Sequence, residues 1–365
     1  MTRGNVFGLD LVRALAVAMV LFTHATFLFV PLVRDLSVFD PWWLPGQLGV
    51  ELFFVLSGFL IGGILATEAE RGDLDVRQFW IRRWLRTLPN YYLFLVLNLV
   101  LERYATGAWP HAWRYVFFWQ NLAWPNPPFY PESWSLAIEE IFYLVAPLLI
   151  LLARGRLGRW MRPVPLIVLG ILAFTAVRVF YVLHGNPDWD AGVRKVTLVR
   201  LDAIAYGVLA IVIVRRFPMS LRTTAIVAGI GLAGTVFCVW ACLALPRDTS
   251  FFARTFLFNL IPLSFAAFLP IAARWKESGL PQFAELSVRK LALWSYALYV
   301  SHLGLLRVLL GPFGWKGSTP LACTAQSIAF AATAIVLAAL VYRVYEGPLL
   351  RLRDAIAPKT APAVA

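Results

Sequence analysis

Apolar runs of roughly 20 residues, broken by clusters of charge or of Pro and Gly, recur along all 365 residues of the chain. A hydrocarbon core of about 30 Å takes about 20 helical residues to cross. The pattern predicts ten such spans: 9 to 30, 47 to 66, 84 to 101, 133 to 153, 163 to 184, 197 to 214, 223 to 245, 256 to 273, 291 to 312 and 320 to 342. The expected fold is all-α, a polytopic membrane helix bundle of about ten transmembrane helices. Residues 1 to 346 read as one transmembrane domain and 347 to 365, ending "APKTAPAVA", as a short disordered cytoplasmic tail. The prolines of "PNPPFYPESW" suit an irregular segment between 102 and 132 rather than a crossing.

The polar residues between the runs set an orientation. With the N-terminus inside, 21 Lys and Arg fall on the cytoplasmic side and eight outside, a bias that places both termini in the cytoplasm. The first run resembles a secretory signal, but Asp10 and Arg13 interrupt that layout and the apolar stretch continues past "THA" to Val30, so it reads as an uncleaved helix. Composition agrees: 60% of residues are hydrophobic, only 15% are charged, and the mean hydropathy is +0.71. The aromatic clusters "FDPWWLPG" and "WPHAWRYVFFWQNLAWP" read as interfacial anchors among the membrane lipids. The net charge of +13 sits in short loops, which argues for topology and against nucleic acid. Cys238, Cys242 and Cys323 lie inside apolar runs and suggest neither a disulfide framework nor a metal site.

An ionisable group inside a span costs about 2.5 to 3.5 kcal/mol, so each needs a partner, a wet cavity or a function. At about 1.5 Å of rise per residue, His24 lies roughly 22 Å from the cytoplasmic face, Glu139 and Glu140 roughly 20 Å, and Glu51, Arg200 and Arg307 roughly 24 Å. These depths suggest one polar chamber in the outer half of the membrane, to which Ser57, Asp202 and His302 also belong. An imidazole near a carboxylate is the simplest tuned general base, so His24 with Glu139 or Glu140 is the expected catalytic set. For Glu51, Arg200, Asp202 and Arg307, buried ion pairs that fix helix register fit equally well. Arg13 and His24 are 11 residues apart, close to three turns, and share a helix face, with Asp10 one turn below to neutralise Arg13. In "RQFWIRRWLRTLP", Arg77, Arg82, Arg83 and Arg86 gather at the inner surface. Arg83 and Arg86, at i and i+3, can grip one multiply charged group such as a phosphate, and a positive-inside flank is the alternative.

The segments "GLDLVRALAV" followed by His24, "GVELFFVLSGFLIG", "FWIRRWLRTLP", "SWSLAIEEIFYLVAP", "RLDAIAYG", "SYALYVSHL" and "YEGPLL" occur in this order along nearly the whole chain. In this the sequence resembles the acyltransferase family 3 membrane proteins, which O-acylate sugars of bacterial cell-surface polymers. The resemblance implies an inner-membrane enzyme that takes an acetyl group from cytoplasmic acetyl-CoA, as co-substrate and without a metal, to a hydroxyl of an exopolysaccharide, lipopolysaccharide or lipid-linked oligosaccharide repeat. It also implies that His24 is the essential first-helix histidine with Arg13 its accompanying arginine, that Arg83 and Arg86 (beside Arg82) handle the donor, and that Glu139 and Glu140 are the family's acidic pair. Glu51 departs from the pattern, which commonly has Asp there. Some relatives carry an additional extracytoplasmic hydrolase-like domain, for which this chain has no room. A different class, a secondary transporter or exporter of a glycan or organic anion, also places charges at mid-membrane. Against it stand the absence of an inverted repeat and the position of the arginine pair at a membrane face.

Overall fold

The computed structural model describes residues 6 to 152 and 163 to 358, so Arg3, the arginines from 154 to 162 and residues 359 to 365 lie outside the described residues. Among the described residues there is no strand. The helices are α1 (Phe7–Ala25), α2 (Asp40–Arg71), α3 (Val76–Thr106), α4 (Trp113–Val116), α5 (Ser133–Leu152), α6 (Pro163–Gly185), α7 (Asp202–Arg216), α8 (Leu221–Ala244), α9 (Phe251–Arg254), α10 (Leu257–Arg274), α11 (Gln282–Leu310), α12 (Pro320–Val341) and α13 (Gly347–Ile356). Nine helical segments among the described residues are long and apolar enough to cross a membrane. The tenth expected span, 84 to 101, lies within the 31-residue α3, which is long enough but too polar to join them. The reason is that Asn90, Tyr91 and Asn98 of α3 are buried against the protein interior, where Asn90 donates to Glu346, Tyr91 to the Tyr115 carbonyl and Asn98 to the Phe94 carbonyl.

The end of the chain differs from the sequence expectation. Residues 347 to 356 are not disordered but form α13, which packs on α3. Arg82 reaches across to the Ala357 carbonyl and, at 3.0 Å, to Asp354. Residues 117 to 132 are irregular, as their prolines require, yet they are tied down: Asn121 donates to the Trp134 and Lys195 carbonyls at 3.0 and 2.7 Å.

α2 runs through the middle of the bundle, touching α1, α5, α7 and α10. Its contact with α7 brings the two backbones together at Gly58 and Gly207. A Cβ on Gly58 would lie 1.9 Å from the Ile204 carbonyl oxygen, and one on Gly207 would lie 1.9 Å from that of Val55. Small residues at helix crossings in membranes let backbones approach in this way. Near its start α2 contains Pro45, and Thr23 of α1 repairs the helix there. The Thr23 hydroxyl accepts from the Gly46 N–H at 2.7 Å and donates to the Trp42 carbonyl at 3.0 Å, the pair that an uninterrupted helix would join directly. His24 follows immediately and is held at that depth.

Because no shift of a flexible side chain relieves a backbone clash, Gly58→Ala is expected to destabilise the fold by about 1 to 3 kcal/mol or more. Gly229→Ala, whose Cβ would meet nothing within 4 Å, should be neutral. Thermal melting of the detergent-purified variants checks this, and equal melting temperatures would refute the close crossing.

Candidate active site

Two cavities lie back to back along the bundle, lined by side chains of α1, α2, α3, α5 and α11. The first, about 100 Å³, is lined by Arg13 of α1, Ser57 of α2, Arg83 and Arg86 of α3, Glu139 and Tyr143 of α5 and Tyr299 of α11. The second, about 420 Å³, is lined by His24, Gln47, Glu132, Tyr299 and His302, together with the 188 to 195 segment. Val50 and Tyr299 line both, so the wall between the cavities is as thin as these side chains. α1 and α3 contribute residues near their starts to the first cavity, while α1 gives its end and α2 its start to the second. The cavities therefore lie toward opposite ends of the bundle.

The arginines of the first cavity have few counter-charges. Arg13 is 3.9 Å from Asp10, whose closer partner is Arg289 at 3.1 Å, so Asp10 neutralises Arg13 only weakly. Among the described residues Arg83 and Arg86 have no carboxylate within 4 Å. Three guanidinium groups on one cavity suit a multiply charged anion, since their donors remain available to it. Arg82 is turned away onto α13 and does not line the cavity. Glu139 accepts from the Tyr143 hydroxyl at 2.9 Å, one turn along α5, and that hydroxyl also bonds Ser57. Glu140 is buried outside both cavities beside Thr87.

His24 is not oriented by either glutamate. Its neighbour is His302, buried to 1% exposure, with Nε2 3.1 Å from His24 Nδ1. The hydrogen bonds fix both tautomers. His302 Nδ1 sits 2.7 Å from the Tyr299 carbonyl, which can only accept, so the proton is on Nδ1 and Nε2 offers a lone pair. His24 Nδ1 sits 2.9 Å from the Val20 carbonyl and donates in turn, toward that oxygen and His302 Nε2. The His24 Nε2 is left with its lone pair, in the form a general base requires. Equal depth in the sequence suggested a glutamate partner, but depth does not fix which helix faces which.

The remaining charges of the expected single chamber separate into ion pairs. Glu51 takes Arg200, whose Nη2 lies 2.5 and 2.6 Å from its two oxygens, and Asp202 takes Arg178 through two bonds of 3.0 and 2.8 Å. Arg178 and Arg200 are both 0% exposed. Arg178 is missing from the sequence-derived site, although a lone arginine in an apolar span with no acid on its own helix is itself a signal. Arg307 lies outside the chamber: it pairs with Glu102 at 3.0 Å and lines a separate cavity with Asn98 and Pro131. Tyr143, Tyr299, Glu132, Gln47 and Trp43 are among the lining residues that the sequence did not single out. Tyr143 was within reach of it, being at i+4 from Glu139.

The family model described as an acyltransferase domain, that of acyltransferase family 3, matches residues 6 to 343. The chain belongs to this family. Acyltransferase family 3 membership favours group transfer over transport as the use of the two cavities. The chain is similar to the peptidoglycan O-acetyltransferase OatA of Listeria monocytogenes, 31% identical over 211 residues that are 51% of this chain and 31% of the relative. It is 30% identical over 201 residues to the putative peptidoglycan O-acetyltransferase YrhL of Bacillus subtilis, 50% of this chain and 29% of that one. A putative O-acetyltransferase of Staphylococcus aureus is 30% identical over 227 residues, 55% and 34% of the two chains. The chain thus spans about a third of the length of these curated relatives. No solved structure matches it.

If the arginines of the first cavity bind an anion, Arg83→Ala with Arg86→Ala should weaken coenzyme A binding at least tenfold, since each hydrogen bond from a charged group contributes about 1.5 to 3 kcal/mol. Arg215→Ala, whose guanidinium is already engaged by Glu70 and Thr67, should not. Equal effects in calorimetric titration would identify the pair as topological charge only.

Proposed function

We propose that this acyltransferase family 3 protein is a membrane O-acetyltransferase that moves an acetyl group from acetyl-CoA, bound at the first cavity, to a hydroxyl of a bacterial surface glycan in the second. The observation that carries this reading is the pairing of the two cavities across Val50 and Tyr299, with under-neutralised arginines in one and a histidine of fixed tautomer in the other. The names of the relatives, peptidoglycan O-acetyltransferases among them, support the same class of reaction. The charge bias supports a cytoplasmic donor side and an acceptor on the outer side of the inner membrane.

Arg13, Arg83 and Arg86 would hold the phosphates of the donor, whose thin thioester arm points toward Tyr299. His24 Nε2 takes the proton from the acceptor hydroxyl as its oxygen attacks the thioester carbonyl, forming the new C–O bond. The C–S bond then breaks, and the imidazolium returns the proton to the leaving thiolate. While His24 carries the extra proton, its Nδ1–H is bonded to the His302 lone pair, so His302 holds the ring in register and spreads the charge. Glu139, with Tyr143 and Ser57, shapes the donor side and carries a counter-charge for the arginines rather than orienting His24.

His24→Ala should lower acetyl transfer by about 10² to 10⁴ with unchanged amounts of protein in the membrane, because its ring contacts are with Val20, Phe27 and His302 at the rim of a cavity rather than in a packed core. His302→Ala should reduce kcat by about ten- to a hundredfold with little change in KM, in line with losses at orienting partners elsewhere. His302→Asn, whose amide oxygen can still accept from His24, should recover part of it. Near-normal transfer by His24→Ala would remove this residue from the mechanism, and a pure KM effect at His302 would make it a binding residue.

A further inference from the structure

The second cavity holds polar atoms that nothing in the protein satisfies. Glu132, 3% exposed, lies immediately before α5, and neither of its carboxylate oxygens has a hydrogen-bond partner. On the same lining, the Gln47 side-chain oxygen and the Trp43 indole N–H are buried and equally unpartnered. Buried polar atoms ordinarily find partners, and leaving one unmade costs about 1 to 3 kcal/mol, so three residues short of partners on one cavity wall describe what is to be bound there.

The charges around them narrow the ligand. The cations of the lining are already engaged: Arg194 and Lys195 each lie 2.5 Å from Asp190, and Arg247 lies 2.9 Å from Asp40. Burial alone would raise the Asp190 carboxyl, but Arg194 and Lys195 bring it well below its ordinary value, which marks the cluster as a closed one. Asp188 and Asp248 accept from backbone N–H groups of Ala191 and Trp189. With Glu132 the lining has five acids against three bases, and no cation is left over for an anionic ligand. An ammonium would use the acceptors but not the Trp43 donor. A hydroxyl both donates and accepts, and suits all three.

We infer that Glu132, with Gln47 and Trp43, forms an acceptor subsite selective for a neutral, hydroxyl-bearing sugar, the Glu132 carboxyl accepting from a pair of sugar hydroxyls, and that acidic sugars are rejected. This rests on the acetyltransferase reading for its purpose but not for its binding test. Burial pushes the Glu132 carboxyl up to about 8. Hydroxyl donors seated on it would lower that value, whereas a uronate beside it would raise it further. The same cavity presents His24, so a sugar held by Glu132 has its other hydroxyls near the general base.

The test is saturation-transfer NMR on the full detergent-purified chain without donor, using chitotetraose as the neutral probe, tetragalacturonate as the acidic one and the glucosamine tetramer as the cationic one. Chitotetraose is expected to bind at least tenfold more tightly than tetragalacturonate. Glu132→Gln, which keeps shape but loses one accepting oxygen, should weaken chitotetraose about tenfold at about pH 9, where the wild-type carboxyl is ionised, at an unchanged melting temperature. Equal binding of the acidic tetramer, tighter binding of the cationic one, no binding of chitotetraose, or an unaffected Glu132→Gln variant would each overturn the inference. A wild-type protein that discriminates in this way yet transfers no acetyl group to any of the three would instead count against the acetyltransferase reading alone.

Discussion

Two buried guanidinium groups constrain everything else in this bundle. Arg178 and Arg200 are wholly enclosed, and breaking a buried ion pair by removing one partner costs about 3 to 5 kcal/mol, so the helices must bring carboxylates to them. Arg178 of α6 satisfies all of its donor directions on Asp202, Asn259 and the carbonyls of Val199 and Thr255, which ties α6, α7, α10 and the turn before α7 into one unit. Arg200, two residues before α7, fastens Glu51 of α2 to that unit while its guanidinium lies 4.2 Å from the ring centroid of Phe258. Val50 is the residue beside Glu51. The wall between the two cavities is therefore set by the ion pair, and the close crossing at Gly58 and Gly207 lets α2 approach far enough to make it.

Partnering separates the charges that hold the fold from those that face a ligand. Glu51 with Arg200 and Asp202 with Arg178 form two buried ion pairs that line neither cavity. Arg83 and Arg86 lack carboxylates, and both line one. Glu132 lacks any side-chain partner and lines the other. In a low-dielectric interior an unmade interaction is more costly than a made one is favourable. Arg200 Nε and Nη1 and the Tyr130 hydroxyl are also unpartnered but line neither cavity, so a missing partner marks a ligand contact only together with a cavity.

Much of the fold was legible because membrane burial writes itself into length and hydropathy. All ten expected spans are helices, most of them within a few residues, although α2, α3 and α11 begin seven to nine residues before their expected starts. Only α3 is not apolar enough to join the other nine, because its buried asparagines and tyrosines dilute the apolar signal. The helical α13 was hidden for a related reason. Its stability comes from Arg82 and the packing on α3, not from local pattern, and charged "RLRD" reads as solvated tail. In the site, residue types and depths were readable but azimuth was not. A rise of 1.5 Å per residue puts His24, Glu139 and Glu140 at similar heights, yet only the packing of α1 against α11 makes His302 the neighbour. Glu132 carried no periodic signal at all, since it stands in an irregular segment whose burial depends on Asn121 and Gln120 anchoring it.

An imidazole in place of a carboxylate behind His24 has a chemical consequence. A carboxylate partner would hold the general base as a near ion pair and add a full negative charge to a cavity wall that already carries more acids than bases. His302 offers the same accepting lone pair without that charge, because its own proton is committed to the Tyr299 carbonyl. In the proposed reaction the base would thereby be oriented in a neutral state, at the point where a neutral hydroxyl and a neutral thioester would meet. Tyr299 links the two halves of this arrangement: its carbonyl sets the tautomer of His302, its hydroxyl bonds Ser135 at 2.7 Å, and its ring closes the wall. One residue of α11 thus contributes both to the tautomer of His302 and to the wall between the cavities.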